Sequence, residues 1–577
     1  MFALLPSSSS NSKEIRLEND DIKAKFMNPT KDLMPPIPCF RVLRSTIRAL
    51  LRDQTILTIQ RTLAMALLSA YLSGSTLVAA EPIDVGPNKQ LFIDGRFVEA
   101  NRGASIVVNR PRVTGEKLIV ADKPWENLFI GGYTSVIEEG DQIQLWYEFM
   151  DGRGRQGVAY ACSKDHGATW IKPELGLIDY EGSRQNNIVI LGLQGHTVFK
   201  NRPDAPAHQK YGMFIGGGAA GRHAKDSQAF YSADGLHWTP TGTVPFLDAS
   251  VNKHLTLDSQ NVIFWDTRIK RYVIYARLNI KPYAGSSGVN RVFGYANSAT
   301  FGDFGQFKIV FQRDDRDPVD FDWYTTAAIQ YPYAQDAYFM WPAAYHKWPE
   351  PPEGKLVNDG PLDIQFAVSR DGVEWQRSDR RPVIPLGLDG AWDSGSLYAG
   401  YGFSRHGDEL SLYYTGYPIT HGEQGQWLAQ FLKSVDDFRN KALPKYVVRG
   451  DGPPYVASGV LAGIITRAIY RLDGFMSIDA PYEGADFNTP AILFAGDRLE
   501  INFEGSAGGW AKIEILDEKN QPIPGFTMRE ADKVSGNSVA KTVSWTGKSS
   551  VAQLKGRPIK LRFVMRDAKL YAFQFVP

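Results

Sequence analysis

The chain has 577 residues, too many for one ordinary hydrophobic core, and 43% hydrophobic with 22% charged residues is the balance of a soluble globular protein with two domains. Its 64 Lys+Arg against 63 Asp+Glu create no chain-wide basic field to attract nucleic acid or an anionic membrane, so nucleic acid is not an expected partner. With 54 glycines, 34 prolines and 12% aromatic residues, short strands joined by tight turns are favoured over long helices, and the expected class is all-β.

In chain order, the first feature is an N-terminal leader. Arg61 precedes an apolar run at 63–72, and small residues follow up to Ala80. That order reads as a secretory signal peptide cleaved near Ala80, so residues 1–80 are set aside as leader and signal peptide. The apolar run is well short of the ~20 residues that span a bilayer, so no permanent membrane anchor is expected and the mature chain is expected to be secreted or periplasmic. Of Cys39 and Cys162 only Cys162 remains after cleavage, leaving packing rather than a disulfide to stabilise the fold.

A turn then recurs. "SKDHGATW" (163–170), "SADGLHW" (232–238) and "SRDGVEW" (369–375) share a serine, an aspartate, a glycine and a tryptophan in one order, and each follows an alternating apolar segment. Such alternation marks a half-buried strand, and the glycine supplies a positive backbone dihedral for the corner. Asp165 and Asp234 are 69 residues apart and Asp234 and Asp371 are 137 apart, twice the same period, and a degenerate copy at 295–304 fills the gap. A fifth copy is assigned to "AIYRLDGFMSID" at Asp473, which makes residues 418–461 an insertion in the last repeat. Strands starting at Gly131, His196, Asn261, Tyr324 and Ser396 give a second ruler of similar period. Strands repeated five times at this spacing predict a five-bladed β-propeller over 81–480, with "QLFIDGRFVEA" near 90–100 expected to close the ring. From about Pro481 the period stops, and alternating strands over 481–577 predict a C-terminal β-sandwich.

A signal peptide, a five-bladed propeller and a C-terminal sandwich together resemble the invertase and levanase family of glycoside hydrolases, family 32, and the propeller alone resembles the arabinanase and xylosidase family 43. The corner is similar to the Asp-box of sialidases, Ser-x-Asp-x-Gly-x-x-Trp, which "SKDHGATW" fits fully. The Asn-Asp-Pro-Asn opening and the Glu-Cys motif of invertases are missing, although an Arg-Asp-Pro occurs at Arg316, Asp317 and Pro318.

Residues just before each inner strand of a propeller ring its central funnel. Here these are Glu126, His196, Asp258, Asp322 and Asp393, with Trp125, Trp323 and Trp392 beside three of the acids. Glycosidic cleavage needs one carboxylic acid to protonate the leaving oxygen and a second carboxylate to activate water or attack the sugar. Crowded acids in a funnel would have separated pKa values. The resemblance to family 43 implies Glu126 as the acid, with Asp258 and Asp322 sharing the other catalytic roles. Trp125, His196, Arg277, Trp323, Asp393 and His421 are expected to contact the substrate, with His254 near the same end. The expected function is an exported glycoside hydrolase acting on a poly- or oligosaccharide. A non-catalytic carbohydrate-binding propeller is the alternative, and a sialidase would require several arginines converging on the funnel. No metal-ligand spacing is present and no cofactor is expected, a structural calcium among the acids being compatible with the second reading.

Overall fold

The structure, a computed structural model, describes residues 81–151, 155–217, 227–242, 246–248, 255, 257, 259–281, 290–334, 336–348, 359–422 and 463–577. The expected signal peptide, Asp258, His254 and nearly all of the expected insertion lie outside the described residues.

The chain from Phe129 onward forms four-stranded antiparallel sheets in sequence order. Sheet I holds Phe129–Glu139, Gln142–Met150, Gln156–Ser163 and Ile188–Leu191. Sheet II holds Gln194–Lys200, Tyr211–Gly217, Gln228–Ser232 and Thr239–Pro240. Sheet III holds Val262–Asp266, Arg271–Ile280, Asn290–Ser298 and Lys308–Phe311. Sheet IV holds Ala328–Gln330, Tyr338–Met340, Ala367–Ser369 and Trp375–Gln376. Sheet V holds Ser396–His406, Glu409–Tyr417 and Ile464–Arg471, and takes Arg112–Val113 as its outer strand. A ribbon of Phe321–Trp323, Ala343–His346 and Leu362–Ile364 meets sheet V through the parallel pair Leu362 and Ser396.

The first strands of the sheets are neighbours in a cycle: I beside II, II beside III, III beside IV, IV beside V, and V beside I. Polar bonds join their heads. Gln260 Nε2 donates to the carbonyls of Thr134 at 2.8 Å and His196 at 3.2 Å, and Thr197 Oγ1 donates to the Asn261 carbonyl at 2.7 Å. Period-2 alternation sorts side chains between the two faces of each sheet. In the second strand of sheet I, Ile143, Leu145, Tyr147 and Phe149 pack with Ile119 and Trp125, while Trp146 packs with Val198 and Met213 of sheet II.

The repeated corner follows the third strand of its sheet each time and has one internal geometry. The serine hydroxyl donates to the aspartate, at 2.7, 3.0 and 3.0 Å for Asp165, Asp234 and Asp371, and accepts the glycine N–H at 2.8–2.9 Å. The glycines have φ of 81°, 79° and 77°, the left-handed region that favours glycine. Each corner also docks on the preceding sheet. Trp146 of sheet I donates its indole N–H to the Gly235 carbonyl at 2.8 Å, and Tyr275 of sheet III donates to the Gly372 carbonyl at 2.6 Å. Gly167 lies against Tyr413 of sheet V, where an added Cβ would stand 2.2 Å from the phenol oxygen. At the degenerate copy, Phe301 packs on Phe199 and Phe246. The fifth corner is held differently, by Tyr331, Lys89 and Asn502 around the Asp473 carboxylate.

Beyond sheet V the chain builds a C-terminal sheet ordered Ala100–Arg102, Ala485–Asn488, Lys560–Val576, Met476–Ala480 and Ser105–Val108, with Arg498–Leu516 also paired to Lys560–Val576. Its core centres on Phe92, Phe97, Phe487, Phe563 and Phe573. Two expectations are corrected here. The strand expected to close the ring, Gln90–Leu91, pairs instead with Phe573 and Ala572 of the C-terminal sheet, and Arg112–Val113 pairs with sheet V. The C-terminal sheet also begins before Pro481, at Met476, and takes in strands from 90–108.

Candidate functional site

The first strands begin, and the second strands end, at the same end of the sheets, and there buried polar residues converge. Tyr324 is the hub. Its ring meets Tyr398 at 5.8 Å, Tyr345 at 6.1 Å and His421 at 4.5 Å, and the guanidiniums of Arg277 and Arg291 lie 5.0 and 5.6 Å from its centroid. Arg291 also lies over Tyr345 at 5.3 Å, Tyr133 meets Tyr398 at 6.3 Å, and Tyr398 Oη is 3.3 Å from His421 Nδ1. Side chains from sheets I, III and V and from the ribbon thus meet at one place.

Asp322 belongs to this cluster and is fully engaged. Its Oδ2 accepts from Arg291 Nη1 at 2.8 Å and faces Lys347 Nζ at 3.2 Å, while Oδ1 accepts the Arg291 backbone N–H at 2.7 Å and lies 3.4 Å from Asn290 Nδ2. With its oxygens committed to two cations and a backbone N–H, Asp322 is placed to orient its neighbours.

Glu148 has the opposite character. It stands near the end of the second strand of sheet I, accepts the Gly195 N–H, and its Oε1 lies 3.8 Å from His196 Nδ1. Burial pushes its carboxyl above the usual range, against the opposing pull of His196 and the Gly195 N–H. Both carbonyls flanking position 258 pass Gly195: an added Cβ there would lie 3.1 Å from the Ser259 oxygen and 3.6 Å from that of Leu257. Glu148 also acts on Tyr133, whose hydroxyl burial, Tyr324 and Glu148 together hold well above its ordinary value.

The two histidines differ as well. His196 is closed to solvent, and among the described residues neither ring nitrogen has a hydrogen-bond partner. His421 is partly exposed, yet burial of its ring and then the charges of Arg291 and Arg277 lower its pKa to about 3, which keeps it neutral.

Other expected residues are placed elsewhere. Glu126 is 0% exposed and bound by Lys172 Nζ at 2.6 Å, Tyr147 Oη at 2.6 Å and the backbone N–H groups of Asp122 and Lys123. Tyr147 and Glu148 are successive strand residues and point to opposite faces of sheet I, so Glu126 lies on the face away from Glu148. Burial still raises its carboxyl, with Lys172 pulling the other way. Trp125 packs on Tyr180 and donates to Asn187 Oδ1 at 3.0 Å, inside the same core. Trp323 is 0% exposed, wedged between Phe311, Phe321 and the Arg377 guanidinium, because it follows Asp322 on a strand and faces the other way. Neither tryptophan offers a face to a sugar. Asp393 is half-buried beside Gly387 and Gly416, and burial raises its carboxyl. Asp317 of the Arg-Asp-Pro is paired with Arg377 and Arg380. Among the described residues no group of three or more His, Cys, Asp or Glu could hold a metal ion.

Glu148, Arg291, Tyr324, Tyr345, Lys347 and Tyr398 were not anticipated. For Glu148 the signal is a lone carboxylate inside the apolar strand "LWYEFM", and for Arg291 a lone arginine opening "RVFGY".

No family model matches the chain, and no curated protein matches it. Solved structures similar to it include a thermostable family-43 glycoside hydrolase, at 14% identity over 53% of this chain and 88% of that one with a TM-score of 0.36. Another is an N-acetylgalactosamine deacetylase from F. plautii in complex with blood group B trisaccharide, at 14% identity over 64% and 96% with a TM-score of 0.38. A third is the exo-inulinase from Aspergillus awamori, at 10% identity over 79% and 99% with a TM-score of 0.34. At these identities and scores the likenesses carry no argument about the reaction of this chain.

Proposed function

We propose that this chain is an exported carbohydrate-active enzyme, a five-bladed β-propeller carrying a C-terminal β-sandwich, that hydrolyses glycosidic bonds at the head of its first strands. The cyclic order of the first strands and the docking of each corner on the preceding sheet support the propeller. The observation that carries the chemistry is Glu148, a carboxyl group raised by burial beside a cluster of tyrosines, arginines and a neutral histidine.

A carboxyl that burial raises is suited to donate to a leaving glycosidic oxygen, whereas the oxygens of Asp322 are already committed to Arg291, Lys347 and a backbone N–H. Glu148 therefore takes the acid role that the family resemblance gave to Glu126. Asp258, on sequence grounds, remains the proposed second carboxylate, activating water or attacking the anomeric carbon. His421, neutral through the working range, would hydrogen-bond sugar hydroxyls without adding charge, and the partly exposed Tyr133 would offer a ring face. Two carboxyls about 5–5.5 Å apart would act with retention and at about 6.5–9.5 Å with inversion.

The test is hydrolysis of a polysaccharide panel by the purified chain, followed by Glu148→Gln and Asp258→Asn. Loss of about 10²–10⁴ in kcat for each, with unchanged circular dichroism, is expected from the roles given. Unchanged turnover in Glu148→Gln would remove it from the mechanism. Tight sugar binding without any cleavage would favour the non-catalytic reading.

A further inference from the structure

We propose that Arg277 and Arg291 form the recognition site for an anionic substituent of the sugar, a uronate carboxylate or a sulfate ester; the inference rests on the carbohydrate reading above and names its substrate class. The register of sheet III makes the pair. Asn279 is the partner of Arg291, and Arg277 stands two residues from Asn279, so the two arginines are diagonal neighbours on one face. Arg277 is 2% exposed and Arg291 9%, and both guanidiniums lie over Tyr324. Like charges placed so on a sheet repel, and each guanidinium has given up most of its contact with water.

The surroundings orient the pair. Asp322 fixes one edge of Arg291 and is shared with Lys347, while Tyr324 and Tyr345 present ring faces to the guanidinium planes. A planar guanidinium matches the paired oxygens of a carboxylate or sulfate, which a point-charge ammonium does not. Burial and then these same arginines keep His421 neutral, so it adds no positive charge beside them. Tyr133 and His421 are partly exposed members of the same cluster.

The experiment is calorimetric titration and hydrolysis assay of the full chain with three sets of oligosaccharides: oligogalacturonides and their methyl esters, sulfated galactans and their desulfated forms, and neutral arabinan and xylan fragments. Charge-assisted hydrogen bonds predict binding of an acid about tenfold to a hundredfold tighter than of its uncharged partner. Arg277→Gln should bring that ratio near one. Should Arg277→Gln fail to fold, Arg277→Lys, which keeps the charge and loses the fork, should reduce the ratio, and the wild-type ratio stands by itself. A preference for uronates over their esters assigns a carboxylate, and one for sulfated over desulfated galactans assigns a sulfate ester. Equal binding of charged and uncharged partners, or cleavage of neutral fragments alone, would overturn the inference and leave the hydrolase reading intact. Selective binding of the acid without cleavage would support the inference and count against hydrolysis. Binding to no member of the three sets would defeat both.

Discussion

A buried carboxyl group avoids the cost of an isolated charge by pairing or by keeping its proton, and the acids here take different routes. Asp322 pairs with Arg291 and Lys347, so removing it takes a buried counter-charge from both. Asp322→Ala should lower stability to urea by about 3–5 kcal/mol, the range for breaking a buried pair from one side. A loss below about 1 kcal/mol would show the pair to be solvated. Burial raises the Glu148 carboxyl, and its pH dependence has a definite sign. Its folded pKa lies above the unfolded value of about 4.3, so its contribution is fully present below that value and is lost as pH rises through the folded pKa. Glu148→Gln should therefore melt higher than wild type at pH 8 and about equally at pH 4, read by thermal scans at both pH values. A constant difference between the two would contradict a raised carboxyl at this position. Little of this was legible beforehand. Reading just before each inner strand named His196 and Asp322, which the fold buries at the polar end of the sheets, but Glu126 entered by the same rule although it lies on the other face of sheet I. Which face a residue takes at a strand entrance depends on a one-residue register that spacing does not carry.

At the scale of elements the sequence was far more informative, because a corner must satisfy local backbone geometry that few residues allow. The serine, aspartate and glycine recur since each has a defined hydrogen bond or dihedral, and the aromatic partners on the preceding sheet explain why the corners are spaced by whole sheets. The docking yields a comparison between two glycines of sheet II. Gly235 has φ of 79°, and an added Cβ would lie 2.6 Å from the Trp146 ring, whereas Gly242, at 85°, has nothing within 4 Å. Gly242→Ala should cost about 1 kcal/mol from backbone strain alone, and Gly235→Ala about 2–4 kcal/mol because the indole must also move. Equal losses in chemical unfolding would mean that the corner does not clamp the two sheets. The strand Arg112–Val113 escaped notice for the converse reason, since two residues have no periodicity and their pairing is decided by sheet V.

For the molecule as a whole, the segment 83–113 joins the two halves. Its strands pair with Ile492–Phe494, Lys560–Val576, Ala485–Asn488 and Met476–Ala480 before the chain reaches sheet V. Further ties reach sheet IV, where Arg370 holds Asp94 at 2.9 Å and Lys89 meets the Asp473 corner at 2.8 Å beside Tyr331. A boundary drawn at Pro481 from the end of the repeat could not show this, because the early strands lie some 400 residues from their partners and sequence distance carries no pairing signal. The energetic consequence is that the C-terminal sheet and sheets IV and V share one segment and should lose structure together. Phe92 sits within 6.3 Å, centroid to centroid, of Phe97, Phe487, Phe563 and Phe573, so Phe92→Ala removes the centre of that cluster and should cost about 3–5 kcal/mol. If 83–113 couples the halves, the variant should lower one common melting transition, seen alike by far-ultraviolet dichroism and tryptophan fluorescence. A separate early transition of the C-terminal sheet, with the rest of the chain melting at the wild-type temperature, would show that the shared strands transmit no stability between them.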